Sequence, residues 1–326
     1  MAAPFIMSLL LASSLALQTQ PPVFTDLDRD GIPDELEQAL LEKFRPTLLV
    51  SAHDCDVSPA EFLAGSKNAT VVQRNGTIYG QVFRPQVVLG SGATLEVHYY
   101  HLWNRDCGRM SHPLDPEHVA VLVRADNLQD PLADWKAIYW YAAAHESTIC
   151  DRSTTAAAST LSAENKGATV WISWGKHASY FSPADCAGGC GRDRCGGPVT
   201  PLAGQLINLG ELGAPLNGAE WAASSQWALA QKMESAFSRE IVKEMNDLGP
   251  ESLPKHQSHA RIQPVVSAGG SSMDAIDLGL QKTSAGVSTG EVKTGNALTR
   301  SMGSVQRSLK KAARASMRWI DHDDNH

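Results

Sequence analysis

The stretch His112-Pro-Leu-Asp115-Pro-Glu117-His118 leads directly into the apolar run Val119-Ala-Val-Leu-Val123. The apolar run predicts a strand, because short runs rich in β-branched residues are typical of buried strands. Successive side chains of a strand point to opposite faces, so the imidazoles and carboxylates at the strand entrance alternate between the two faces. The sequence therefore predicts a sheet protein with a polar or metal-binding site where this strand begins.

Further strand-like runs lie on both sides of this stretch. They are Thr47–Val50, Thr70–Gln73, Thr77–Phe83, Leu95–Trp103, Ala137–Ala142 and Ala168–Trp174. Asn75-Gly76 is a strong hairpin signal, and only one short helix, Ser58–Leu63, is predicted between these runs. This order favours a mainly β, α+β chain built on an antiparallel β-sandwich over an alternating α/β fold.

The C-terminal half has a different pattern. Large apolar residues recur at helical spacing from Gly218 to Asn246, which predicts one long helix packed across the sandwich, residues 46–249. Residues 250–300 are rich in Gly, Ser, Thr and Ala, which predicts a flexible linker. Residues 301–326 form a basic amphipathic tail, either docking on an anionic membrane or a partner or packing as an ordinary terminal helix.

Residues 1–17 have the composition of a signal peptide. The apolar run Phe5–Ala12 is shorter than the roughly 20 residues of a membrane span. Ser14-Leu15-Ala16 fits a small-x-small cleavage site. Because the segment lacks Lys and Arg, an uncleaved anchor is the alternative, but length and flanks favour export to a secreted or extracytoplasmic location.

All six cysteines follow this segment. They are Cys55, Cys107, Cys150, Cys186, Cys190 and Cys195. An even count in an exported chain predicts disulfides without fixing their connectivity. The close trio at the end of the set could instead bind zinc, but no fourth ligand has a standard spacing and export favours oxidation. Disulfides are the preferred interpretation.

The sharpest motif is Asp26-Leu-Asp28-Arg-Asp30-Gly31-Ile-Pro-Asp34-Glu-Leu-Glu37. It has the ligand spacing of an EF-hand calcium loop, with carboxylates at the side-chain positions, glycine at the sharp turn and a terminal glutamate that can supply two oxygens. The predicted calcium ligands are Asp26, Asp28, Asp30, Ile32 through its carbonyl, Asp34 and Glu37.

An exit helix over Glu35–Phe44 follows the loop, but Pro21 and Pro22 exclude an entering helix. Residues 18–45 are therefore predicted to be a single calcium-binding loop-helix of the kind found in extracellular modules. A merely acidic, solvated turn is the alternative interpretation.

Histidines with neighbouring carboxylates predict a second site. The tentative ligands of a second divalent metal are His112, Asp115, Glu117, His118, His145 and His177. The same groups suit metal binding, metal-free acid–base hydrolysis, a further calcium, or structural histidines that each bond a carboxylate. The net charge of −7 gives no electrostatic reason to expect nucleic-acid binding. Phosphate-loop, dinucleotide and Gly-x-Ser-x-Gly motifs are absent.

Three segments together resemble the vacuolar protein sorting-associated protein 62 family. They are Leu41–Val50, Asp115-Pro-Glu117-His118-Val119 and Trp174-Gly-Lys-His177-Ala-Ser-Tyr180, within residues 40–185. The family pattern usually has Asp-Trp-Glu-His where this chain has Pro116 in place of Trp. His118 and His177 match motif positions of the family, and we predict that they lie on one pocket.

The histidine-rich segment also resembles, more weakly, the necrosis-inducing, plant-toxin-like proteins. That resemblance implies a β-sandwich and a divalent-cation pocket, formed here by His112, Asp115, Glu117 and His118, which engages membrane glycolipids.

Two functions are open at this point. The first is a secreted calcium-binding protein whose cation pocket binds a membrane surface or a glycan or lipid ligand. The second is a metal-assisted hydrolase that uses His118, His145 and His177.

Overall fold

The computed structural model describes residues 25–249, apart from residues 86, 88, 108–110, 147, 149, 191–192, 211–217 and 224–231, together with the backbone of residues 255–256. The predicted signal segment, most of the predicted linker and the basic tail lie outside the described residues. Within the described part, no helix is long and apolar enough to cross a membrane.

The described strands are numbered in chain order. They are β1 Thr47–Ser51, β2 Ala60–Phe62, β3 Val71–Arg74, β4 Ile78–Phe83, β5 Ala93–Arg105, β6 Pro113–Ala125, β7 Lys136–Ala142, β8 Thr154–Ala157, β9 Thr169–Ile172, β10 Ser179–Tyr180, β11 Val199–Pro201, β12 Leu206–Asn208 and β13 Lys255–His256. The helices are α1 Asp34–Lys43, α2 Pro183–Ala187 and α3 Arg239–Leu248, with 3-10 turns at Leu132–Asp134 and Glu220–Ala223.

The strands form a seven-stranded sheet in the order β12-β4-β5-β6-β7-β8-β13, a four-stranded sheet in the order β10-β9-β1-β11, and the separate hairpin β2-β3. Most neighbours are antiparallel, but β4–β12 and β1–β9 are parallel. β13 lies within the predicted linker, so the backbone pairing of the larger sheet extends beyond residue 249.

One apolar core lies between the two sheets. It joins Leu48 and Val170 of the smaller sheet to Val97, Val121 and Trp140 of the larger one. The molecule is therefore mainly β and a sandwich, as the sequence predicts.

The outer face of the larger sheet is also covered. Tyr79 and Leu102 pack there with Trp221, and Leu122 packs with Phe237 and other residues at α3. Because both faces of β5 and β6 are buried, their apolar runs continue without the alternation of a half-exposed strand.

The predicted single helix over Gly218–Asn246 is wrong, because residues 232–238 are not helical. A tertiary interaction explains the break: the Ser235 hydroxyl and the Ala236 amide each donate to the buried Glu96 carboxylate at 2.6 Å. Helix α3 begins only after Ser238, whose hydroxyl accepts a capping bond from Ile241 N.

The predicted helix at Ser58–Leu63 is also wrong. This segment contains β2, which pairs with β3. Here the cross-strand partner overrides a local helix signal.

Helix α1 packs directly on β4. A side chain at Gly80 would collide with Leu41, so the glycine permits the close approach. The Tyr99 hydroxyl donates to Leu41 O at 3.0 Å, and Leu40 and Phe44 are fully buried. This contact holds the acidic loop that precedes α1 against one edge of the larger sheet.

All six cysteines are paired, as Cys55–Cys107, Cys150–Cys190 and Cys186–Cys195. The preference for disulfides over a zinc site is confirmed. The last two bridges tie the segment 186–195 to itself and to the loop after β7.

Candidate functional site

The acidic loop, residues 26–37, brings its carboxylates together. One carboxylate oxygen from each of Asp26, Asp28 and Asp34 lies within 4.8 Å of the others, and the same holds for Asp28, Asp30 and Glu37. Two oxygens bound to one calcium at 2.3–2.6 Å can be at most about 5 Å apart. The spacing of these oxygens therefore fits a common hard cation.

Backbone amides fix the loop in this shape. The bonds run from Gly31 N to Asp26 Oδ2 at 3.2 Å, from Ile32 N to Asp30 Oδ1 at 2.6 Å, and from Leu27 N to Asp34 Oδ1 at 3.0 Å. Gly31 has φ +84°, a conformation that favours glycine. The Ile32 side chain is fully buried in the core and anchors the turn.

Glu37 is the most unusual member of the loop. It lies on the first turns of α1 and is fully buried. Asn208 on β12 donates to its Oε2 at 3.1 Å, while its Oε1 has no hydrogen-bond partner among the described residues. A buried carboxylate oxygen without a donor is costly, and a cation is one way to satisfy it.

The pKa values of two loop carboxylates are also consistent with a cation site. Burial, aided by the nearby Asp28, raises the pKa of Glu37 to about 9. Burial, together with the carboxylates of Asp28 and Asp26, raises the pKa of Asp30 to about 6. Without a cation, the fold therefore disfavours the charges that the loop concentrates.

The histidine region lies elsewhere, where β5, β6 and the loops after β7 and β9 meet. His177 is a fully buried imidazole of this region. Its Nδ1 lies 2.7 Å from Asp115 Oδ2, its Nε2 lies 3.6 Å from Asp54 Oδ1, and its ring stacks on Trp103 at 4.1 Å. Burial lowers the pKa of His177, but the bond to Asp115 and the nearby Asp54 carboxylate raise it to about 9. The two carboxylates therefore favour the imidazolium form of His177.

His118 lies on the opposite face of β6. It is paired across the strands with Tyr100 and packs against His98 and Tyr141. Asp115, which holds His177, is three residues away and therefore points to the other face. The prediction that His118 and His177 lie on one pocket is wrong, because strand alternation separates them.

His145 forms a dyad with Asp193. Its Nε2 lies 2.6 Å from Asp193 Oδ2, and the Tyr180 hydroxyl donates to the same oxygen. Burial lowers the pKa of His145, but the bond to Asp193 raises it above the usual value. The side chain is 15% exposed, so one of its edges reaches solvent.

The remaining predicted residues also meet separate partners. Glu117 Oε1 is 3.4 Å from Lys232 Nζ, and burial raises the pKa of Glu117 to about 7. His112 is about half exposed, with Nε2 3.7 Å from Asp106 Oδ2. In the described part of the chain, no three of the six tentative ligands have ligand atoms within 4.8 Å of one another. The structure therefore does not gather them around one ion.

Sequence reasoning missed two members of this region, Asp106 and Asp193. Asp106 accepts from Lys176, and Asp193 is hydrogen-bonded to His145. Asp106 precedes the bridged Cys107, and Asp193 lies between the bridged Cys190 and Cys195. The proximity of these aspartates to bridged cysteines was a usable signal. The pairing of a histidine with a carboxylate far along the chain leaves no such signal in the sequence.

Three non-glycine residues here have left-handed backbones: Leu114 at φ 57°, His145 at φ 53° and His177 at φ 50°. Such conformations cost about 1–3 kcal/mol each and cluster at functional sites. Their presence in one region marks it as a second candidate site.

No protein-family model and no curated protein sequence matches the chain. Among solved structures, it is similar to NLPPya in complex with mannosamine, at 17% identity and a TM-score of 0.36, over 62% of this chain and 88% of that one. It is also similar to a structure described as a toxin fold for microbial attack and plant defense, at 16% identity and a TM-score of 0.32, over 66% of this chain and 90% of that one.

The non-toxic HaNLP3 protein is a further neighbour, at 12% identity and a TM-score of 0.26, over 46% of this chain and 66% of that one. These neighbours share the toxin fold of the class named by the weaker of the two sequence resemblances. At these values the likeness concerns the fold alone, and it carries nothing about ligand or activity.

Proposed function

We propose that this is an exported, calcium-binding β-sandwich protein that uses its histidine region to bind a ligand or surface. The observation that carries the calcium assignment is Glu37, a fully buried carboxylate whose Oε1 lacks a hydrogen-bond partner among the described residues. Export is supported by the three disulfides, which persist in oxidising compartments.

The donor set favours calcium over softer metals. Asp26, Asp28, Asp30, Asp34 and Glu37 supply only oxygen atoms, and the carbonyl at Ile32 would add another. Hard cations prefer such ligands, whereas zinc is usually bound by nitrogen and sulfur. The ion would tie the loop to α1 and thereby to the larger sheet.

Calorimetric titration of the chelator-treated protein with calcium tests this assignment. We expect one site in the wild type and a loss of binding in Asp30→Asn, which removes one ligand charge from the loop. Asp126→Asn, at an exposed aspartate outside the loop, is the charge-matched control and should bind as the wild type does. Absence of calcium binding in the wild type would overturn the proposal.

The ligand-binding part of the proposal rests on the histidine region. Glu117 Oε2 is buried and has no hydrogen-bond partner in the described chain. Its Oε1 lies 3.4 Å from the partly exposed Lys232, and the partly exposed His145 is near enough to act on its charge. Such a set of donors and acceptors suits the hydroxyl groups of a glycan, including the headgroup of a glycolipid.

Vesicles with and without a glycolipid test the second part. We expect wild-type protein to sediment only with the glycolipid vesicles, and Glu117→Gln to lose this binding while keeping calcium. Equal binding to both vesicle types would contradict a glycan ligand.

A hydrolase is the second candidate, favoured by the His145–Asp193 dyad. An imidazole oriented by a carboxylate is the arrangement of a general base. The metal-assisted version with His118, His145 and His177 is not supported, because these residues lie apart. Ester and glycoside substrates should be turned over by the wild type and not by His145→Gln if this alternative holds.

A further inference from the structure

We infer that Asn208 is a specificity-determining residue of the acidic loop: it restrains Glu37 to one ligand oxygen and so makes the loop accept magnesium as well as calcium. The inference rests on the proposed calcium site and concerns which ions that site distinguishes.

The orientation of Asn208 is well defined. Its Nδ2 donates to Glu37 Oε2 at 3.1 Å, and its Oδ1 accepts from Gly210 N at 3.0 Å. An amide whose oxygen is engaged by a backbone N–H must turn its NH₂ group to the other side. The donor therefore faces Glu37.

The position of Asn208 is equally constrained. The residue is 4% exposed and lies on β12, where it is paired in parallel with Gly80 of β4. Gly80 is also the point at which α1 packs on the sheet through Leu41. The donor and the helix that carries Glu37 thus share one rigid support, and the bond does not depend on a loop.

This bond changes the number of ligands that Glu37 can supply. In an EF-hand loop the terminal glutamate normally gives two oxygens, which raises calcium coordination above six. Here Oε2 accepts from the fixed Asn208 amide, which competes with an ion for that oxygen, and Oε1 is the oxygen without a hydrogen-bond partner among the described residues. One oxygen from Glu37 leaves a site with about six ligands.

Six ligands suit magnesium better than seven do. Magnesium requires near-octahedral geometry at about 2.0–2.1 Å, whereas calcium takes six to eight oxygens at about 2.3–2.6 Å. Losing the second glutamate oxygen therefore weakens calcium binding and spares magnesium. Asn208 therefore narrows the difference between the loop's affinity for calcium and its affinity for magnesium.

The test compares calcium and magnesium affinities, each ion alone, by calorimetric titration at fixed pH and ionic strength. Asn208→Leu removes the amide donor, and Asn208→Asp removes it while keeping an acceptor for Gly210 N. In both variants we expect the ratio of the magnesium to the calcium dissociation constant to rise at least about tenfold.

Gln205→Leu is the matched control. Gln205 directly precedes β12 and donates to the Thr77 hydroxyl, not to the loop, so its loss should leave the ion ratio unchanged. Infrared carboxylate bands of the calcium-loaded proteins give a second readout: the signature of a two-oxygen glutamate ligand should be absent in the wild type and appear in the Asn208 variants.

An unchanged ratio in both Asn208 variants, with calcium and magnesium still bound, would overturn this inference and leave the proposed function intact. A two-oxygen glutamate signature already present in the wild type would also overturn it. If the wild type bound neither ion, the proposed function would fail first, and the role of Asn208 would fail with it.

Discussion

The acidic loop and the histidine region are both rich in carboxylates, but they are assembled in opposite ways. The loop draws its carboxylates from twelve consecutive residues, 26–37, and places them against one another. The histidine region draws its groups from residues 54 to 232, and there His177, His145, Lys176 and Lys232 each meet a carboxylate.

The difference teaches how to distinguish a metal site from a polar network. Carboxylates that converge, such as Asp26, Asp28 and Asp34, concentrate negative charge that an external cation can neutralise. Carboxylates that already hold an imidazolium or an ammonium are satisfied within the protein. Residue types alone do not separate the two cases; the partners do.

Removing His177 should produce the largest effect and tests whether the histidine region is internally neutralised. His177→Leu leaves Asp54 and Asp115 buried without their shared cation, so the free energy of unfolding should fall by about 3–5 kcal/mol. Urea unfolding measures this loss. His112→Gln, at a half-exposed histidine, should change stability by less than about 0.5 kcal/mol.

The same residue predicts a pH dependence. The pKa of His177 is about 9 in the folded protein and about 6.5 in the unfolded chain. Its contribution is therefore fully present below the unfolded value and is lost as pH rises through the folded one. In urea unfolding across this window, wild-type stability should decline more steeply than that of His177→Leu, and parallel profiles would contradict the imidazolium.

Removal of a disulfide should cause the next largest loss in the free energy of unfolding. Cys55–Cys107 closes 52 residues and Cys186–Cys195 closes 9. The chain-entropy model then gives about 4 kcal/mol for the first bridge and about 2.5 kcal/mol for the second. Unfolding of the two paired Cys→Ala variants compares them, and a larger loss from the short bridge would show that strain or local contacts decide.

Calcium should stabilise the folded protein only by binding to the acidic loop. At a free concentration of about 100 times its dissociation constant, a ligand of the native state adds about 2.7 kcal/mol. Thermal unfolding with calcium and with chelator should therefore differ in the wild type and in His112→Gln, and should coincide in Asp30→Asn. A calcium effect that survives Asp30→Asn would move the ion to another site.

The smallest expected effect distinguishes positions within the loop. Asp34 occupies the position that often binds calcium through water, and its Oδ1 also accepts from Leu27 N. Asp34→Asn keeps an acceptor there, so calcium affinity should fall only about tenfold, or about 1.4 kcal/mol. Titration of Asp34→Asn beside Asp26→Asn measures the difference, and equal losses would assign Asp34 a direct bond.

The sequence predicted the fold where its signals were local. Strands β1, β3 to β7 and β9 were found because each carries its own run of β-branched and aromatic residues, whereas β2 and β8 were not found. The arrangement of loop carboxylates was found because spacing within twelve residues fixes which oxygens can meet.

The failures have a common physical cause, which is a partner distant in sequence. Glu96 interrupts the predicted helix at Ser235 from 139 residues away, and β3 converts the predicted helix at Ser58–Leu63 into a strand. The pocket predicted for His118 and His177 failed for a simpler reason. The alternation of β6 places His118 and Asp115 on opposite faces, so His118 is separated from His177 although both match the family motif.

The parallel pairing of β1 with β9 has a consequence for how the chain folds during its synthesis. Thr47 lies beside Thr169, and the other neighbour of β1 is β11, at residues 199–201. Synthesis delivers β1 first among the strands, yet more than a hundred residues must follow before either neighbour exists. The hairpins β4-β5-β6-β7 can close meanwhile, since their contacts are local. During that interval Leu48 and Val50 have no sheet to join, so the nascent chain carries its first strand as an exposed apolar segment that a chaperone could bind.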